Sequence, residues 1–214
     1  GLVYEISDGG AHGKVVALKA HRDLNLWYRT GLPYDEIHPE DPNNVGVIAR
    51  SETDGQENMK AYKQIPDWKT HYPVAAYVSD LNDENGNPGW YLPAIKEVQA
   101  MVGWIDGEVL SPDGEAGQEP SEAMKEKRKA INQLIVDNGG NEFYFYGYDV
   151  SFIIDQTNAW EADYFNRIYT STETDYQVHP MVFKFYLRNG WWETMHVYGD
   201  LAGSYGEVRP FLAF

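Results

Sequence analysis

The stretch Gly89-Trp90-Tyr91-Leu92-Pro93-Ala94-Ile95-Lys96-Glu97-Val98 constrains the fold of this chain most, because two large aromatics lead through a proline straight into a helical pattern. Proline suits the first turn of a helix: its φ is already helical, and its missing N–H would have no intrahelical partner there. Ile95, Val98 and Met101 or Val102 follow at helical spacing, and Gly103 is the expected stop. The segment predicts a strand-like aromatic run that feeds a short core helix.

A chain of 214 residues can bury one sizeable core, and nothing in its composition demands a second domain. Residues 1–214 are read as one domain with long loops. With no cysteine, it has no disulfide, no thiolate metal ligand and no cysteine nucleophile, so packing must hold it together. Its 33 acidic and 17 basic residues give a formal charge of −16, which repels phosphate backbones and anionic lipid. Nucleic acid is not an expected partner. No apolar run is long enough to cross a bilayer, so no membrane insertion by this module is expected. The abrupt, strand-like opening Leu2-Val3-Tyr4-Glu5-Ile6 has no basic-then-apolar leader; the expectation is of a module excised from a longer protein, any signal or anchor lying upstream.

Leu2 to Ile6 and Lys14 to Leu18 read as a first hairpin, joined by Ser7 to Gly13, a turn of residues that tolerate positive φ. Residues 20–57 read mostly as loop, punctuated by Gly31, Pro33, Pro39, Pro42 and Gly46. His12, His21 and His38 have irregular spacing and read as surface residues. Asp54-Gly55-Gln56-Glu57-Asn58 reads as an acidic loop with the oxygen ligands calcium takes, but without the Asp-x-Asp-x-Asp-Gly spacing of a dedicated site. No cofactor is expected. Pro73 opens a helix with Val74, Tyr77, Val78 and Leu81 on one face, broken at Asn85 to Gly89. After an acidic loop from Asp106 to Glu119, Ser121 is the expected N-cap of a helix that ends at Asn138-Gly139-Gly140. Met124, Ile131, Leu134 and Ile135 supply its buried face, and Lys125, Lys127, Arg128 and Lys129 its solvated side.

Strand character returns at Phe143 to Tyr146 and Val150 to Ile154, with Gln156 to Asn166 as an added loop. Asn189-Gly190 predicts a two-residue primed turn joining Met181–Arg188 to Trp191–Tyr198. Pairing Arg188 with Trp191 puts Met181, Phe183, Phe185 and Leu187 on a core face with Trp192, Thr194, His196 and Tyr198. His196 then falls opposite Phe183 and reads as a hydrogen-bonded core histidine. Val182, Lys184, Tyr186, Trp191, Glu193 and Met195 share the other face. Pro210 places the last strand, Glu207 to Phe214, at a sheet edge or interrupts it there.

No catalytic constellation has a diagnostic spacing: there is no Gly-x-Ser-x-Gly, His-Glu-x-x-His or glycine-rich phosphate loop. Trp90-Tyr91-Leu92-Pro93 followed by Glu97 resembles the Trp-Tyr-Leu-Pro-Ser-x-x-Glu-Leu motif of the Legionella collagen-like protein C-terminal domain family, a bacterial domain of unknown function. Gly1-Leu2-Val3-Tyr4 with Gly13 to Leu18 resembles that family's first hairpin. Tyr72-Pro73-Val74-Ala75-Ala76 resembles its Tyr-Pro-Ala-Ala helix start, Asp54 to Asn58 its Asp-Gly-x-x-Asn, Tyr169-Thr170-Ser171-Thr172-Glu173 its Trp-Ser-Ser-Thr-Glu, and Val208 to Phe214 its Val-Arg-Pro-Val-Arg-Ala-Phe ending. Tyr169 stands where the family has Trp, and Leu212 where it often has Arg.

The resemblance implies a C-type-lectin-like α+β fold: a twisted antiparallel sheet, two main helices, and N- and C-terminal strands close together. It also implies surface display or secretion, adhesion, and a glycan or surface protein as partner. The Glu-Pro-Asn, Gln-Pro-Asp and Trp-Asn-Asp calcium motifs of true C-type lectins are missing, as are the cysteines of formylglycine-generating enzymes. The charge of −16 turns the expectation from sulfated polysaccharides towards neutral glycans or proteins. Aromatic faces would stack on sugar C–H surfaces or anchor a protein interface, with acids and amides bonding hydroxyls. The candidate binding residues are Tyr176, His179, Tyr186, Trp191, Glu193, Tyr198, Asp200 and Tyr205. Two rival readings are a subunit or tip of a surface fibre, which predicts an apolar patch or free strand edge, and a diversified receptor-binding protein. A carboxylate-based glycoside hydrolase comes last.

Overall fold

A computed structural model describes residues 1–21, 49–84, 86, 88–107, 121–143, 167–174, 177–185, 192–196 and 207–214. In chain order these form β1 (Leu2–Ser7), β2 (His12–Val16), α1 (Gly55–Tyr62), α2 (Trp68–His71), α3 (Pro73–Glu84), α4 (Ile95–Asp106), α5 (Glu122–Asp137), β3 (Arg167–Thr174), β4 (Gln177–Phe185), β5 (Trp192–His196) and β6 (Phe211–Ala213). The fold is mixed α+β. Five α-helices stand among the described residues where two main ones are expected.

The first hairpin forms as β1 and β2, turned by Asp8, Gly9 and Gly10 at positive φ. β6 pairs antiparallel on the far side of β2, so the sheet order is β1-β2-β6 and the two ends of the chain share one sheet. Phe214 and Gly13 exchange backbone bonds of 2.9 and 3.1 Å. The closing segment is broken as Pro210 predicts: Glu207 and Val208 make isolated bridges, and the strand resumes only at Phe211. A second antiparallel sheet has the order β3-β4-β5. The Tyr169 N–H donates to the Glu207 carbonyl at 3.0 Å, beside a parallel bridge from Ile168 to Glu207.

Four helix expectations change. Residues 55–58, expected in an acidic loop, open a helix that runs to Tyr62, because Asp54 is an N-cap whose carboxylate accepts the Glu57 N–H. α4 begins at Ile95, after Pro93, and runs through Gly103 to stop at Gly107, whose φ of 76° places it in the left-handed region. α3 buries Val74, Ala75, Val78, Ser79 and Asn82, a face rotated away from Tyr77 and Leu81. α5 starts at the expected Ser121 cap and buries Ile131 and Ile135, but Arg128 is inside and Leu134 is exposed.

α4 is the central core element. Ile95, Val98, Met101, Val102 and Ile105 are buried among Val16, Tyr62, Tyr72, Val74, Val78, Tyr91, Leu92 and Phe211. Its apolar positions recur at three- and four-residue intervals, so a single stripe of the helix faces this core.

Candidate functional site

The segments around Asp54–Asn58, Trp90–Glu97 and Tyr169–Glu173 meet one another inside the protein. Glu97, one turn into α4, is buried, and its carboxylate accepts four donors. The Tyr91 hydroxyl at 2.8 Å and Lys14 Nζ at 2.9 Å bond Oε1; the backbone N–H groups of Ala94 at 2.9 Å and Gly55 at 3.0 Å bond Oε2. One side chain thus serves the starts of both α1 and α4, where unpaired N–H groups and the helix dipole favour an anion. Gly55 is required for the approach: a Cβ there would lie 2.3 Å from the Leu92 carbonyl oxygen.

β3 closes the seam from the other side. Thr170, Ser171, Thr172 and Glu173 are all buried, and the hydrogen bonds of this segment run inward to the rest of the seam, as burial requires. The Ser171 N–H donates to the Pro93 carbonyl at 2.7 Å, and the Ile95 N–H to Thr172 Oγ1 at 3.0 Å. Thr172 Oγ1 donates to the Ser51 carbonyl. Asn58 Nδ2 donates to the Ser51 carbonyl and to Ser171 Oγ, and Asn58 Oδ1 accepts the Ser51 N–H. The Tyr62 hydroxyl donates to the Ser171 carbonyl at 2.6 Å. Ala49 N–H donates to Glu173 Oε2. Asp54 and Asn58, expected in an acidic loop with calcium-type ligands, are a helix cap and a buried amide clamp. Among the described residues, no three His, Asp or Glu side chains come together as metal ligands.

Two buried cations are held in the same way. Arg209 donates through Nε to Glu207 at 2.5 Å and through its terminal nitrogens to the carbonyls of Ala17, Leu18, Asn141 and Glu142, with Phe143 against its plane at 3.9 Å. Arg128, expected on a solvated face, forks onto Asp106 with two bonds of 2.7 Å. The carboxylate comes from the end of α4, and its pairing is what lets the guanidinium be buried.

Burial raises the acidities' midpoints of Tyr4, Tyr62 and Tyr91, with neighbouring carboxylates adding to the effect: Glu97 beside Tyr4 and Tyr91, and Glu173 beside Tyr62. These phenols stay neutral at physiological pH, and those of Tyr62 and Tyr91 act as donors. The seam is therefore an architectural network, and its acids and bases already have partners.

Of the candidate binding residues, Tyr176, Tyr186, Trp191, Tyr198, Asp200 and Tyr205 lie outside the described residues, as do the expected strands after Phe143, the loop before β3 and the Asn189-Gly190 turn. His179 and Glu193 fall in β4 and β5. Glu193 pairs with Lys184, on the face of Val182 and Met195 as expected. His179 lies between Gln177 and Pro180, where β4 has two residues without a counterpart in β3, so strand alternation does not carry it onto the Glu193 face. The hairpin register also differs from expectation. Phe183 pairs with Thr194, and His196 with Met181, two residues from the register that a two-residue Asn189-Gly190 turn imposes. Because side chains alternate with period two, the displacement keeps each face's composition and changes only the partners.

No family model, curated protein or solved structure matches the chain. Sequence reasoning missed the joint role of Lys14 and Glu97. The signal available was Glu97 three residues after the last non-helical position, where a glutamate reaches back to the helix start.

Proposed function

We propose that this chain is a non-catalytic, C-type-lectin-like binding module, displayed at the cell surface or secreted, that recognises a glycan or protein through its C-terminal hairpin and adjoining loops. The observation that carries the reading is the seam itself. The likeness motifs are spent on one another, with Glu97, Arg209, Asp106 and Arg128 all paired inside, and this supports assigning recognition to the aromatic and acidic residues of the C-terminal hairpin segment. In sequence this segment holds the aromatic residues Trp191, Tyr186, Tyr198 and Tyr205 and the acids Glu193 and Asp200, the residue types that hold sugars or anchor interfaces.

A glycan array probed with the purified chain, with and without calcium, tests this. The expected result is binding to a neutral glycan that Trp191→Ala abolishes while the protein stays folded. Absence of binding in both conditions rejects the glycan branch and leaves a protein partner. The fibre-component reading draws on a separate observation: β1 pairs only with β2 among the described residues, and its Val3 and Ile6 are exposed.

A further inference from the structure

The β1-β2-β6 sheet inverts the usual polarity of a sheet with one solvated face. The register rows Val3–Val15–Leu212 and Ile6–Gly13–Phe214 lie on the side away from the Tyr4, Val16 and Phe211 core. The bulge between Val3 and Glu5 brings Val3 and Ile6 onto that one side. Every side chain in the two rows is apolar; Val15 in the middle is buried, with Gly1 against it, and at the outer positions Val3 is 40 %, Ile6 66 % and Phe214 47 % exposed. Gly13 leaves room for the Phe214 ring, since a Cβ there would meet it at 2.6 Å. An antiparallel sheet ordinarily carries polar residues on such a face, and a continuous apolar one marks an interaction surface.

We infer that this face docks a short, apolar segment of a partner protein flanked by lysine or arginine. Two observations select that occupant. Three strands about 4.8 Å apart and two side-chain rows about 7 Å apart make a patch far smaller than the roughly 800 Å² per partner of a stable dimer, so a narrow segment fits it better than a second copy. Asp8 is exposed two residues beyond Ile6, on a chain of net charge −16, which attracts a cationic segment and repels another copy. The inference concerns a different surface from the hairpin and does not rest on its role.

The test uses amide NMR of the whole chain titrated with a short peptide alternating lysine with valine or isoleucine, and with a lysine–serine peptide of equal charge. The expected result is shifts at Val3, Ile6, Gly13, Val15, Leu212 and Phe214 with the first peptide only. Ile6→Lys, at an exposed site, should weaken binding about tenfold or more, and Leu134→Lys on α5 should leave it unchanged. An equal response to the lysine–serine peptide, no shifts on this sheet, or a dimer of the chain that Ile6→Lys dissociates would each overturn the inference.

Discussion

Tyr4 is buried, its ring stands edge-on to Phe211 at 5.3 Å, and its hydroxyl has no hydrogen-bond partner among the described residues. Since a buried unpaired hydroxyl costs on the order of 1–3 kcal/mol, Tyr4→Phe is expected to match or raise stability by about 1 kcal/mol, read as a shift in the urea midpoint. Tyr4, Tyr62 and Tyr91 all have raised midpoints in the folded state. Unfolded phenols ionise near pH 10, so above that value the unfolded chain releases protons that the folded one retains. Stability is thus fully present below about pH 10 and falls as pH rises further; urea midpoints at about pH 8 and about pH 11 should show the decline, and Tyr62→Phe should reduce it. Some single-residue features were legible, Ser121 and Pro210 among them, because caps and proline act through the local backbone. Arg128 was not, because what buries it is Asp106, 22 residues away.

The helices show the same division. Pro73 and Ser121 announce their helices locally, and the periodicity of Ile95, Val98 and Val102 announces α4. The end of α4 was misplaced because Gly103 is tolerated inside a packed helix while Gly107 takes the positive φ. Gly107→Ala, forcing a Cβ into that left-handed conformation, should cost about 1 kcal/mol, measured by urea unfolding. α1 was read as loop because its Gly, Gln and Asn hide its pattern; Asn58 is buried through bonds to Ser51 and Ser171, which no local rule anticipates. Between α4 and α5, Arg128→Ala leaves Asp106 buried without its fork and should cost about 3–5 kcal/mol, whereas replacing both residues with apolar ones should recover much of that. A double-mutant cycle of denaturation free energies checks the coupling.

For the molecule as a whole, the N-terminal hairpin and the C-terminal strand were readable from opposite ends of the chain, and the sheet they share agrees with the expectation that the terminal strands lie close together. The hairpin's faces were readable too, but its register was not, since register depends on loop geometry as well as on alternation. The proposed recognition surface rests on residue chemistry, and the buried seam on geometry. These two parts make separable demands, which unfolding measurements can distinguish. The most direct measurement is urea unfolding of Glu97→Gln and Trp191→Ala beside the parent chain. Glu97→Gln should lose about 2–4 kcal/mol, because an amide cannot satisfy Lys14, Tyr91 and two backbone N–H groups together, while Trp191→Ala should stay within about 1 kcal/mol and lose ligand binding alone. A stable Glu97→Gln protein, or a Trp191→Ala protein that unfolds as readily as a core variant, would contradict the proposed division of this chain into a buried scaffold and a recognition hairpin.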